Sequence, residues 1–188
     1  MTISSPDIQS PVVIVLAAGR GERFAASGGE VHKLQAMLAG KRVMDHVLDA
    51  VKASGLPYHV VTADPARPGM GDSIAAGVRA TPGANGWLIL PADLPLISCE
   101  TLKAMAFAPP CEVTVPVVHG QCGHPVRFGL ECTQELLNLH GNQGAAELIR
   151  ARAATESIAF IELDDVGCIS DIDTLDDLKR AEGLLASR

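Results

Sequence analysis

The sequence predicts an α/β protein: a three-layer α/β/α architecture built on a doubly wound, mostly parallel sheet. Three observations carry this. Short aliphatic runs such as Val12-Val13-Ile14-Val15 have the unbroken apolar character of strands buried on both faces. These runs alternate with longer segments whose apolar residues recur at helical spacing. Turn signals, among them Thr81-Pro82-Gly83 and Pro109-Pro110, punctuate the alternation. Strands separated by helical crossovers pair in parallel and acquire helices on both faces.

Taken in order, strands are expected at Val12–Ala17, Tyr58–Ala63, Trp87–Pro91, Glu112–Val118, Val126–Phe128 and Ser157–Leu163. Helices are expected at Val43–Ala53, Asp72–Ala80, Cys99–Ala106, Glu131–Leu139, Gly144–Arg152 and Thr174–Ala186. The last repeats Leu175, Leu178, Ala181 and Leu185 at helical spacing, with Asp173 or Thr174 as its cap. Trp87, the only tryptophan, is placed to pack at a strand start. Residues 1–10 are polar and read as a loose tail, leaving 11–188 as a single domain without internal repeat or linker.

A chain of 188 residues is long enough to bury roughly 70% of its unfolded surface. Its 47% hydrophobic and 20% charged content suits a globular domain. The net charge of −7 argues against nucleic acid as a partner. No apolar run approaches the length of a membrane span. The 5 cysteines form no C-x-x-C pair, and no basic-then-apolar leader precedes Pro11, so a reduced, cytoplasmic setting is expected.

The first strand runs into Ala18-Gly19-Arg20-Gly21-Glu22-Arg23, with Lys33 beyond. Small residues let backbone amides approach an anion, and the arginines and lysine neutralise phosphate charge. On an acidic body, such a concentration of cations points to a small polyanion. A P-loop is excluded, because G-x-x-x-x-G-K-[ST] does not occur. A dinucleotide fingerprint is disfavoured, because Phe24 stands where the third glycine must allow close helix packing. Open sheets of this type bind ligands beyond the carboxyl ends of their strands. Arg23 and Lys33 follow the first strand and Asp93 follows the strand ending at Pro91, so both motifs are expected at one rim.

The remaining pattern, L-A-[AG]-G-x-G-x-R followed by a lysine, matches at Leu16, Ala17, Ala18, Gly19, Gly21, Arg23 and Lys33. Further blocks follow: Gly69–Val78, Leu90–Pro95, Gly123–Phe128, Gly141–Ala145 and Asp171–Leu178. In these blocks, over nearly its whole length, the chain resembles the MobA-like nucleotidyltransferases. It is closest in wording to their molybdenum-cofactor cytidylyltransferase branch, since Ala18 stands where the guanylyl branch usually has glycine. The resemblance implies the nucleotide-diphospho-sugar transferase-like form of the fold. It also implies Mg2+-dependent transfer of CMP from CTP to a molybdopterin-type acceptor, with release of pyrophosphate. A molybdoenzyme or its maturation chaperone is the partner it implies for the product.

Such a transfer needs no protein nucleophile, only positioning and charge stabilisation. Gly19 and Gly21 supply backbone donors, and Arg23 a planar fork for the outer phosphates. The resemblance places Lys33 beside the α-phosphate. Asp93, ahead of Pro95, is a candidate Mg2+ ligand, with an Asx-turn or helix cap as its alternative role. Asn142 stands where similar proteins often offer an aspartate to the metal, and Ala146 where an arginine is frequent; Asn142 is otherwise a turn residue. By resemblance Ser73 approaches the nucleotide, although it equally suits a first helical turn capped by Asp72. His124 and Pro125 resemble a substrate-facing turn, against a purely structural role. His119, Cys122 and His124 form an H-x-x-C-x-H string that admits zinc but lacks a fourth ligand. Asp171 and Asp173 are candidate outer carboxylates, with helix capping the simpler role for Asp173. Alternatives left open are a guanylyl- or sugar-phosphate nucleotidyltransferase and a non-catalytic nucleotide- or pterin-binding delivery module.

Overall fold

The computed structural model describes residues 10–66 and 69–187, so the expected tail at 1–10 lies outside the described residues apart from Ser10. The strands are β1 (Val12–Ala17), β2 (Met37–Leu38), β3 (Lys41–Arg42), β4 (Tyr58–Thr62), β5 (Trp87–Pro91), β6 (Val113–Val118), β7 (Gln121–Cys122), β8 (Val126–Phe128) and β9 (Ile158–Glu162). The helices are α1 (Glu22–Ala26), α2 (Val43–Ser54), α3 (Met70–Ala80), α4 (Cys99–Ala106), α5 (Thr133–Asn138), α6 (Ala146–Ala154) and α7 (Leu175–Ala186).

The main sheet runs β4-β1-β5-β8-β6, with β7 and β9 also paired to β6. β1 pairs in parallel with β4 and β5, and β6 in parallel with β9. β8 is antiparallel to both β5 and β6. The apolar runs form these strands because they are covered twice. Val13, Val15, Leu88 and Leu90 face one core with Val43, Val47 and Val51 of α2 and Leu102 and Met105 of α4. Val12, Ile14, Trp87 and Ile89 face another with Ile74 and Val78 of α3 and Leu136 of α5. Alternation along each strand thus feeds two separate cores. Helix α7 joins the first and α6 the second, which completes the three layers. The α3 layer sits close: a Cβ on Gly77 would lie 2.6 Å from Ile14 Cγ2. Trp87 packs at its strand start as expected, its indole N–H donating to Thr81 Oγ1 at 3.0 Å.

β7 and β8 are two pieces of one return strand against β6, interrupted at Gly123-His124-Pro125. There the Gly123 amide donates to Pro116 O and the His124 amide to Cys168 O, each at 2.9 Å. The interruption turns His124 toward the carboxyl ends of the parallel strands.

Several boundaries differ from expectation. The helix expected at Glu131–Leu139 is a 3-10 turn, Leu130–Cys132, followed by the shorter α5. The one expected from Gly144 starts at Ala146, because the preceding glycines form a turn with Gly141 at φ 56°. The start expected at Asp72 moves back to Met70, with Asp72 as the third helical residue. α1 and the β2–β3 hairpin were not expected; they are too short to leave a periodic signal.

Candidate active site

Beyond the carboxyl ends of β1 and β5 lies a cavity of about 840 Å3. Arg23, Lys33 and Asp93 all line it, together with Asp171 and Asp173 from the segment entering α7. Lys33 starts a 3-10 turn, Lys33–Gln35, and is buried although charged. Its Nζ donates to Asp93 Oδ2 at 2.6 Å and to Asp173 Oδ1 at 2.8 Å. Burial pulls the Lys33 pKa down, but the adjacent Asp93 and Asp173 carboxylates outweigh it and hold the ammonium above the ordinary lysine range. Lys33 is therefore a fixed positive charge. Arg23, in α1, reaches the other oxygen of Asp173 at 2.5 Å. The Ile172 amide donates to the Asp93 carbonyl at 2.9 Å, fastening the α7 approach to the end of β5.

The Asp173 carboxylate is free for this because Thr174 caps α7. Thr174 accepts from the Asp177 amide at 3.2 Å, while Asp177 Oδ2 accepts from the Thr174 amide at 2.8 Å. The capping role expected as the simpler one for Asp173 is thus corrected: its side chain belongs to the cavity. Asp171 has its pKa raised, first by burial and then by the charges of Asp173 and Asp93. Three carboxylates crowd a site whose nearest cation is shared, so negative charge is in surplus.

The glycine loop closes this end. Gly21 has φ 66°, in the left-handed region. Among the described residues, no acceptor meets the amides of Gly19, Arg20 or Gly21. His32, which the sequence did not single out, holds the loop: its Nε2 lies 2.8 Å from Gly19 O, and its Nδ1 accepts from the Leu34 amide at 3.3 Å. With Nδ1 accepting, Nε2 is the nitrogen that faces Gly19 O. Leu16, Ala18, Gly19 and Gly21 line the cavity, whereas Ala17 packs against the core. Strand alternation separates Leu16 and Ala18 from Ala17.

Ser73 lines the cavity, but its hydroxyl donates to Gly69 O at 3.0 Å within the first turn of α3. Asn142 also lines it, on the turn between α5 and α6, without a hydrogen bond to Asp93, Lys33 or Arg23 among the described residues. The cavity is also lined by Val126, Phe128 and Ile149, which pack with one core, by Ile169, which packs with the other, and by Cys122 and His124. His124 Nδ1 is buried without a partner; burial lowers the His124 pKa, with the Asp93 charge opposing, so the ring is kept neutral. Pro125 is buried behind His124 and does not line the cavity. Burial also pushes the Cys168 thiol up to about 12. Among the described residues no group of three His, Cys, Asp or Glu side chains is arranged to hold a metal ion, so the H-x-x-C-x-H string forms no zinc site.

The chain matches the MobA-like NTP transferase domain over residues 13–157. It belongs to that family. The purine catabolism protein PucB of Bacillus subtilis is 29% identical over 89% of this chain and 94% of its own length. Rv0371c of Mycobacterium tuberculosis, solved in complex with manganese, superposes with a TM-score of 0.71 at 21% identity, covering 93% of this chain and 98% of that one. The molybdopterin-guanine dinucleotide biosynthesis protein A of Archaeoglobus fulgidus superposes with a TM-score of 0.64 at 19% identity, covering 94% and 100%. The fold is shared with both structures. Within the MobA-like NTP transferases, nucleotidyl transfer is the activity class. No helix among the described residues is long and apolar enough to cross a membrane.

Proposed function

We propose that this MobA-like protein transfers CMP from CTP to a phosphorylated acceptor, molybdopterin or its molybdenum-loaded form, and releases pyrophosphate. The observation that carries this reading is the Lys33 ammonium, fixed between Asp93 and Asp173 at 2.6 and 2.8 Å beside a loop whose amides meet no acceptor among the described residues. Arg23 and the Gly19–Gly21 amides bind the outer phosphates. Lys33 faces the α-phosphate, where a preorganised charge stabilises the negative charge that develops as pyrophosphate departs. The acceptor phosphate oxygen attacks the α-phosphorus and the pyrophosphate oxygen leaves, so no protein atom becomes covalently bound.

Mg2+ fits the donors present. It takes hard oxygens, commonly one or two carboxylates with substrate phosphates and water making up the rest. Asp93 and Asp173 are the residues that would hold it, with the Asn142 amide oxygen at the same cavity, and the surplus of negative charge felt by Asp171 favours a cation. Bound there, the metal would neutralise triphosphate charge. The manganese complex of Rv0371c supports a divalent ion on this scaffold.

Ala18 adds a methyl to the cavity lining and narrows the base side, a discrimination of about 1–3 kcal/mol. The resemblance extends the reading to delivery of the product to a molybdenum hydroxylase of the xanthine-dehydrogenase type or its chaperone, and a purine-catabolism relative is consistent with it. A competition assay with CTP, GTP and ATP tests the proposal. Preferential consumption of CTP with molybdopterin is expected; clear preference for GTP would overturn the cytidylyl assignment.

A further inference from the structure

The turn carrying Asn142 lies in residues 139–145, between α5 and α6, with no regular structure of its own. Something else must hold it against the cavity. Asp72, the third residue of α3, does so through one carboxylate oxygen. Its Oδ2 accepts from the Gly69 amide at 3.3 Å and from the Gly141 amide at 3.0 Å. The first contact is local to α3; the second reaches across 69 positions of sequence. Beside it the Gly71 amide donates to Gly141 O at 2.9 Å, so the two backbones meet directly. The approach leaves no room for side chains: a Cβ on Gly69 would lie 1.9 Å from Gly141 O, and one on Gly71 2.5 Å from Gln143 O.

We propose that Asp72 is a positioning residue that locks the Asn142 turn to the start of α3. It thereby fixes the two cavity walls carrying Ser73 and Asn142 relative to one another. Its part in turnover rests on the nucleotidyl reading above; its structural action does not. A carboxylate accepting two amides makes charge-assisted bonds, stronger than neutral ones. Loss of that oxygen removes both bonds and frees the turn, while an asparagine at 72 still offers an amide oxygen in the same place.

Hydrogen exchange on the full chain reads the lock without any substrate. In Asp72→Ala the amides of residues 140–144 should exchange about tenfold faster or more than in the wild type, and in Asp72→Asn much less so. Unchanged exchange in Asp72→Ala overturns the proposal. Pyrophosphate release with CTP, Mg2+ and molybdopterin then reads the consequence. Expected are a fall in kcat for Asp72→Ala with little change in KM for CTP, near-recovery in Asp72→Asn, and no further loss when Asp72→Ala is added to Asn142→Ala. Fully additive losses in that double variant also overturn it. Should the wild type show no turnover, the nucleotidyl reading fails alone, because exchange still decides for or against the lock.

Discussion

Replacing Lys33 by alanine separates stability from chemistry. The Lys33 side chain is 10% exposed, and its partners Asp93 and Asp173 are 18% and 15% exposed. Removing one member of a fully buried pair costs about 3–5 kcal/mol, because the other charge is stranded. Here both carboxylates still touch solvent, so a cost of about 2–3 kcal/mol is expected. For a chain of this size that lowers Tm by roughly 4–12 °C, which leaves the protein folded at room temperature. The catalytic effect should be separate and larger. On the proposed roles, loss of one preorganised charge at the reacting centre should lower kcat about 10²–10³-fold, whereas the amides of Gly19–Gly21 and Arg23 should still hold the triphosphate. Pyrophosphate release at saturating CTP, Mg2+ and molybdopterin measures kcat, and calorimetry measures Tm. Adding Asp93→Asn to Lys33→Ala should recover part of the lost Tm, since the stranded Asp93 charge disappears while Asp173 keeps Arg23, but none of the lost rate. An unchanged kcat in Lys33→Ala would refute the assignment.

The pKa shift of Lys33 is upward, so its stabilising contribution is complete below the ordinary lysine value of 10.5 and is lost as pH rises through the higher folded value; alkaline titration of Tm checks this against Lys33→Ala. Asp171→Asn should raise Tm in metal-free buffer at neutral pH by removing a charge repelled by Asp173 and Asp93. The gain should vanish below the ordinary value of 3.8, where the carboxyl is protonated in both states. His124 is held neutral by burial, so the unfolded chain gains its proton first as pH falls through 6.5. Urea unfolding should therefore show stability falling from about pH 7.5 to about pH 5.5, with a shallower slope in His124→Gln. Gly69→Ala places a Cβ 1.9 Å from the Gly141 carbonyl oxygen and should cost about 3 kcal/mol in urea unfolding. A loss below about 0.5 kcal/mol, ordinary for surface positions, would contradict that close approach.

Strands β1, β5 and β6 were legible because each is a buried apolar run, which leaves a strong signal in composition alone. The rim was legible for the same reason: once β1 and β5 are placed, Arg23, Lys33 and Asp93 must lie beyond their carboxyl ends. Asp173 was harder. It directly precedes the Thr174–Asp177 capping box, and sequence shows that a cap is needed without showing which neighbour supplies it. The surplus carboxylate before a satisfied capping box was the available signal. His32 left none, since its contact with Gly19 O spans a loop without periodicity. The split of the return strand into β7 and β8 was equally hidden, because two-residue pairings have no pattern of their own. The Asp72–Gly141 contact depends on the meeting of two turns far apart in sequence, which no local rule anticipates.

The most direct test of phosphorus activation at this rim follows the label of CTP carrying radioactive phosphorus at either the α- or the γ-position, with molybdopterin and Mg2+. The α-label should move onto the acceptor while the γ-label leaves in pyrophosphate, and both should slow about 10²–10³-fold in Lys33→Ala. Movement of the γ-label onto the acceptor, or retention of both labels in intact CTP by the wild-type protein, would contradict nucleotidyl transfer.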